Sequence, residues 1–102
     1  MATLSALILA KNEEKNIADC IKSVAFADEV VVVDDFSTDE TAAVAARLGA
    51  RVVRHALAGN WGAQQTFAIE QAHGDWIFFI DADERATRKL AAIVAMRIST
   101  RG

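Results

Sequence analysis

The side chains in this sequence best able to do chemistry are carboxylates, and they come in clusters. Asp81-Ala82-Asp83-Glu84 sets two aspartates on either side of one small residue, Asp34-Asp35 precedes Phe36-Ser37, and Lys11-Asn12-Glu13-Glu14 forms a third polar group near the start. In an extended or turning backbone Asp81 and Asp83 can converge on one hard cation, or on a cation and a hydroxyl. Magnesium and manganese prefer oxygen ligands and often reach a protein through one or two carboxylates completed by substrate phosphates. Such an ion removes the repulsion between neighbouring carboxylates and draws a phosphorylated substrate to an otherwise negative pocket. An aspartate at the end of a strand is often no more than a turn former or helix cap. What lifts these residues above that reading is a shared position, because each cluster directly follows a short apolar run.

Those runs are rich in Val, Ile, Leu and Phe and are separated by stretches of helical period, the pattern of parallel strands covered on both faces by crossover helices. Leu4 to Leu9 reads as the first strand and Val30 to Val33 as the second. Arg51 to Arg54 reads as a short, more polar third strand suited to a sheet edge, and Asp75 to Ile80 as a central fourth. Ile17, Cys20, Ile21 and Val24 make one apolar stripe on a first helix that begins near Asn12 or Glu13. Ser37 and Glu40 have the spacing of a capping box for the second helix, whose apolar side is Val44, Ala45 and Leu48 and whose stop is Gly49. A third helix carries Ala63, Phe67, Ala68 and Ala72 and closes at Gly74; a last one begins near Thr87 with Leu90, Ala91, Val94 and Ile98. The alternation predicts an α/β fold, a Rossmann-like three-layer sandwich with a mainly parallel sheet and right-handed crossovers. In open parallel sheets, ligands bind beyond the carboxyl ends of the strands. All three acidic clusters fall on that edge.

Composition narrows the partners. The chain has 102 residues, a net charge of −3 and 53% apolar residues, enough apolar surface for one folded domain over 1–102. No basic surface is large enough to release counterions from nucleic acid or to hold an anionic membrane. One cysteine, Cys20, forms no internal disulfide, which makes the cytoplasm the expected compartment. There is no signal-peptide pattern, and the apolar runs are far shorter than the roughly 20 residues that span a bilayer. The sequence stops just after its last helix, so a fragment of a longer chain is expected, with self-association through the apolar surface left by a missing half.

The residues resemble a known family. Ala6 to Glu14, Val31 to Thr41 and Gly74 to Glu84 are similar, in order and spacing, to the nucleotide-binding half of family 2 glycosyltransferases with the GT-A fold. The similarity runs from about Leu4 to Leu90. Asn60-Trp61-Gly62-Ala63-Gln64-Gln65, with Asp75-Trp76 and the Asp81 to Glu84 motif, most resembles the branch that adds glucose to the lipopolysaccharide inner core. The resemblance implies that Ala10, Asn12 and Glu13 lie against the base or ribose, and that Asp35 or its neighbour Asp34 accepts a hydrogen bond from uracil. It implies further that Asp81 sits near ribose and metal and that Asp83 is the principal ligand of Mg or Mn. Gln64 and Gln65 stand where many relatives have Lys or Arg facing the nucleotide. The implied reaction is inverting transfer from a UDP-sugar to a glycan or lipid-linked saccharide acceptor, with the general base outside this chain and membrane contact only through the acceptor.

Other residues have plainer readings. His55 and His73 lack metal-site partners at suitable spacing. Trp61 could stack on a base but reads more simply as a loop residue covering the sheet edge, Trp76 reads as core, and Arg85, Arg88, Lys89, Arg97 and Arg101 as solvated faces, while Lys11 is as well suited to solvent as to a phosphate. Two other functions use aspartates at strand ends: a magnesium-dependent phosphoryl-transfer module of the haloacid dehalogenase or receiver type, and a non-catalytic interaction module. The first needs an acidic residue after the first strand, where this chain has Ala10-Lys11-Asn12.

Overall fold

The computed structural model describes residues 3–85 and, for the backbone, the short strand Met96–Arg97. The element order is β1 (Leu4–Ala10), α1 (Ile17–Ser23), β2 (Glu29–Asp34), α2 (Thr41–Arg47), β3 (Arg51–Arg54), α3 (Trp61–Gln71), β4 (Trp76–Asp81) and β5 (Met96–Arg97). They form one sheet in the order β3-β2-β1-β4-β5, with β1 to β4 parallel and β5 antiparallel to β4. No helix among the described residues is long and apolar enough to cross a membrane.

Strand alternation divides the core in two. Ala6, Ile8 and Ala10 of β1 face α1 and α2, packing with Ile17, Cys20, Ile21, Val24 and Ala45. Leu7 faces the other way, with Val31, Val33 and Ile77, and is covered by Ala68 and Ala72. The placement of the helices follows from the handedness of crossovers. Going from β1 to β2 to β3 moves in one direction across the sheet and leaves α1 and α2 on one face. The return from β3 to β4 passes over β2 and β1 in the opposite direction and lays α3 on the other. The sheet order therefore reverses between β1 and β4, where a crevice opens at the carboxyl edge. Register brings the acidic ends together there: Ala10 pairs with Asp34 and Leu9 with Asp81. Two strand spacings separate β2 from β4, about 10 Å.

Several local expectations are corrected. Helix α1 starts at Ile17, not near Asn12 or Glu13: Asn12 is left-handed (φ 52°), and residues 14–16 form a turn in which the Asn16 and Ile17 N–H groups both donate to the Glu13 carbonyl. The N–H groups of Asn12, Glu13 and Glu14 donate to Ser37 Oγ (2.8 Å), Thr41 Oγ1 (2.8 Å) and Asp39 Oδ2 (3.2 Å). The Ser37–Glu40 capping box does not form: α2 starts after Glu40 without a side-chain cap, and the Ser37 hydroxyl is committed to Asp34 instead. Gly49 does end α2 in a left-handed conformation (φ 90°), but Leu48 is 40% exposed. In α3 the inward position belongs to Gln64, and Ala63 is exposed. Trp76 is 36% exposed, so it is not a core residue. The helix expected from Thr87 through Ile98 is contradicted at Met96–Arg97, which is a strand; Thr87, Leu90, Ala91, Val94 and Ile98 lie outside the described residues, as do Arg88, Lys89 and Arg101.

Gly74, before β4, is buried against β1, and its N–H donates to Ser5 Oγ at 2.8 Å. A Cβ there would lie 2.6 Å from Ser5 Oγ and 2.9 Å from the Ser5 backbone nitrogen, which the central strand cannot move aside. Gly74→Ala is therefore expected to lower stability by about 1–3 kcal/mol in urea unfolding, the usual size of an overpacking penalty; an unchanged midpoint would refute this close approach.

Candidate functional site

The two adjacent aspartates after β2 have different fates. Asp34 is fully buried. Its carboxylate accepts from the Ser37 N–H (3.0 Å) and hydroxyl (2.5 Å) and lies 3.6 Å from Arg54 Nε. The same Ser37 oxygen accepts the Asn12 N–H, so a hydrogen-bonded chain joins the ends of β1 and β2, and the Arg54 ion pair links it to β3. Asp35 is turned toward a cavity of about 160 Å³ that it shares with Leu9, Ala10, Lys11, Leu57, Trp61 and Gln64. One Asp35 oxygen accepts the Leu57 N–H (3.1 Å), and the other lies 4.0 Å from Lys11 Nζ. Lys11 is largely exposed, so this ion pair is weak and leaves the second oxygen able to accept from a ligand.

The loop between β1 and α1 is held by polar contacts. Asn12 adopts φ 52° and its side-chain oxygen accepts from the Thr38 N–H at 2.8 Å, while Glu13 accepts from Asn16 Nδ2 at 3.0 Å. Asn12 thus uses its carbonyl oxygen within the fold. Phe36, also left-handed (φ 49°), is exposed at the same edge, with the Arg54 guanidinium 5.9 Å from its ring centre.

Asp81 lies at the end of β4, next to a second cavity of about 180 Å³ lined by Leu9, Trp61, Gln65, Phe79, Ile80 and Glu84. Its backbone is pinned by Glu84, whose side chain accepts the Asp81 N–H (3.0 Å) and whose own N–H donates to the Asp81 carbonyl (2.9 Å). The Asp81 carboxyl is raised above its usual range, first by desolvation and then by the charges of Glu84, Asp83 and Glu13. Asp83 is exposed. Among the described residues, no three His, Cys, Asp or Glu side chains come close enough together to hold a metal ion by themselves. The acidic turn instead offers hard oxygen donors that need further ligands, as a diphosphate would supply.

Beneath the turn, the Cys20 Sγ–H donates to the Asp81 carbonyl at 3.5 Å. Burial pushes this thiol up to about 11, opposed by Arg85 and aided by Glu84, Asp81 and Asp83, so it is inert packing. Arg85 reaches back to Asp19 (3.8 Å) and Asn16 (3.2 Å), anchoring the turn to α1. His55 is structural too: its ring stacks on Phe67 at 3.8 Å and its Nδ1 meets Gln64 Oε1 at 2.6 Å. Gln64 also donates to the His55 carbonyl, so it is a core residue here, not a contact to phosphate. The lining role of Leu57 escaped the sequence reading, while Trp61 and Gln65, which the sequence puts at the sheet edge and at a position that faces the nucleotide in relatives, do border the cavities. The signal that places Trp61 was Asn60, a good N-cap, whose side chain accepts the Ala63 N–H and makes Trp61 the first residue of α3.

An open, mainly parallel sheet with its strand order reversing beside acidic loops defines a Rossmann-like α/β protein. Within that class the chain belongs to glycosyl transferase family 2, whose model matches residues 5–99. A Rickettsia felis glycosyltransferase, itself uncharacterised, is 46% identical over 91 residues, 88% of this chain and 32% of the relative. The lipopolysaccharide core biosynthesis glycosyltransferase LpsC of Rhizobium meliloti is 40% identical over 96 residues, 89% of this chain and 35% of LpsC. Among solved structures, glucosyl-3-phosphoglycerate synthase of Mycobacterium tuberculosis, in complex with Mn2+, UDP and glucosyl-3-phosphoglycerate, superimposes with a TM-score of 0.70 at 31% identity. That match covers 79% of this chain and 33% of the synthase. TarS of Staphylococcus aureus (residues 1–349) gives 0.74 at 29% identity, covering 88% and 30%. The chain thus spans about a third of the length of the curated relatives it matches. Family membership sets aside the phosphoryl-transfer alternative.

Two predictions separate the carboxylates. Asp34→Asn weakens a buried acceptor serving Ser37 and Arg54 and should cost about 1–3 kcal/mol in urea unfolding, whereas Asp35→Asn should cost far less; equal losses would contradict the division. Asp81 binds more protons folded than unfolded between its ordinary and its raised value, so stability falls as pH rises through that interval. Asp81→Asn should accordingly melt above the parent at pH 7, with the difference narrowing toward about pH 4. A lower melting temperature for the variant at pH 7 would show that the crowding of charges is absent.

Proposed function

We propose that this chain is the donor-binding portion of a longer, metal-dependent inverting glycosyltransferase that moves a sugar, glucose in the leading reading, from a UDP-sugar to a glycan or lipopolysaccharide-core acceptor. The observation that carries the proposal is the pair of adjoining cavities at the sheet reversal, one bordered by Asp35 and the other by Asp81, both touching Leu9 and Trp61. Support also comes from the relatives: UDP and Mn2+ accompany the mycobacterial synthase, and LpsC is named for lipopolysaccharide core synthesis.

In this reading the free oxygen of Asp35 accepts the uracil ring N–H, while Ala10 at the end of β1 lets the base approach closely. Asn12 and Glu13 border the nucleotide chiefly by shaping the loop, and Asp34 acts from below by holding the turn that presents Asp35. Asp81 faces the ribose, and Asp83 with Asp81 would hold Mg or Mn, which supplies Lewis-acid stabilisation of charge on a leaving diphosphate. The hard oxygen donors and the Asp81 carboxyl, raised first by desolvation and then by neighbouring carboxylates, fit such an ion, since a cation offsets both. Inversion requires a base to deprotonate the acceptor hydroxyl on the opposite face of the sugar. None of the described residues is assigned that role, so this chain alone binds the donor without turning it over. A cytoplasmic location, with membrane contact only through a lipid-linked acceptor, belongs to the same reading.

Calorimetric titration of the chain with UDP, with and without Mn2+, tests it. Mn2+ should strengthen UDP binding at least tenfold, about 1.4 kcal/mol, and Asp83→Ala should erase that gain while leaving the fold intact by circular dichroism. UDP affinity indifferent both to Mn2+ and to Asp83 would overturn metal-dependent donor binding.

A further inference from the structure

Trp61 is the one large aromatic side chain, among the described residues, that borders both cavities, and it is 53% exposed. Its backbone is fixed from both sides. The preceding loop is turned by Ala58 (φ 50°) and Gly59 (φ 73°), both left-handed, and tied to Asp35 through the Leu57 N–H. Asn60 then caps α3 and sets where the first turn begins. Gln64 and Ala68, one turn apart, are buried against the sheet. Trp61 and Gln65, also one turn apart, are neighbours on a second strip of the same helix, and that strip borders the acidic cavity.

The two cavities touch each other at Leu9 and Trp61, so a ligand occupying both must cross the border these residues form. A base and a ribose are joined by a single bond, and a nucleoside therefore fits two adjoining cavities better than two separate ligands do. The first cavity is walled largely by apolar groups and holds one carboxylate able to accept a ring N–H. The second is rimmed by Asp81, Glu84 and Gln65, groups that hydrogen-bond hydroxyls. We infer that Trp61 and Gln65 are nucleoside-binding residues, the indole stacking on the base and the Gln65 amide holding the ribose 2′-hydroxyl. This rests on the donor-binding reading above. It also gives α3 a means of holding the nucleotide that does not depend on charge, since the turn containing Gln64 and Gln65 carries no cation.

The test uses the 102-residue chain with Mn2+, titrated with UDP, uridine and 2′-deoxy-UDP. Stacking on an aromatic side chain is worth about tenfold or more in affinity. Trp61→Ala should weaken UDP and uridine alike by about that factor, and Trp61→Phe should restore most of the loss. Because the indole is half exposed, both variants should melt close to the parent. Gln65→Ala should reduce the preference for UDP over 2′-deoxy-UDP. If Trp61→Ala leaves UDP affinity unchanged, or weakens UDP but not uridine, the stacking role is overturned while the donor-binding reading stands. An unchanged preference in Gln65→Ala removes Gln65 from the site. Failure of the parent to bind UDP at all sinks the donor-binding reading, and this inference with it.

Discussion

A carboxylate sealed at the end of β2 organises the edge on which everything else is built. An ion without water must be met by hydrogen bonds or by an opposite charge, and Asp34 is met by both: two donors from Ser37 and the Arg54 guanidinium. Because the Ser37 hydroxyl also accepts the Asn12 N–H, satisfying this one group ties the loop after β1 to the loop after β2. Thr41 and Asp39 extend the tie to Glu13 and Glu14. Three successive amides thus join two loops. The edge becomes stiff, and Asp35, the next residue, inherits a fixed position over the cavity.

That stiffness permits a concentration of like charge that a softer edge would disperse. Desolvation raises the Asp81 carboxyl first, and the charges of Glu84, Asp83 and Glu13 raise it further. Arg85 does not neutralise the opening: it turns back to α1 and bonds Asp19 and Asn16, fastening the acidic turn from behind. Cys20 supports the same turn from within the core. The outcome is a negative, partly desolvated rim facing the crevice, an arrangement that gains from a cation and a phosphorylated ligand arriving together.

Helix α3 closes the other side of the crevice, and its two strips do different work. Gln64 is drawn inward by His55, whose ring is itself held flat on Phe67. Burying an amide in this way is tolerable because both of its ends are bonded. Trp61 and Gln65, one residue or more out of phase with that strip, are left at the rim. A loop twisted by two left-handed residues and an asparagine cap decide the phase of the helix.

The strands were legible in the sequence because a parallel strand buried on both faces must be a continuous apolar run, and few other structures want Val-Val-Val-Val or Trp-Ile-Phe-Phe-Ile. Their polar ends were legible for the same reason, as the point where burial stops. Motif spacing likewise sufficed to identify the family and the residues Asp35, Asp81 and Asp83 for which the site is proposed. Helix starts were not, since Asn12 takes a left-handed conformation fixed by contacts with Ser37 and Thr38, and the Ser37 hydroxyl is shared between Asp34 and the Asn12 N–H, competitors that a capping pattern does not contain. Nor could a sequence in which Asp34 and Asp35 are chemically identical say which is sealed and which is open; strand alternation and the position of Arg54 on the neighbouring strand settle it. The sequence by itself determined which segments are buried and which carry charge, because hydrophobicity and ionisation belong to residue types. Which carboxylate faces the crevice, and which side chain of α3 stands over it, only the tertiary structure decided, because direction in space comes from register and helix phase.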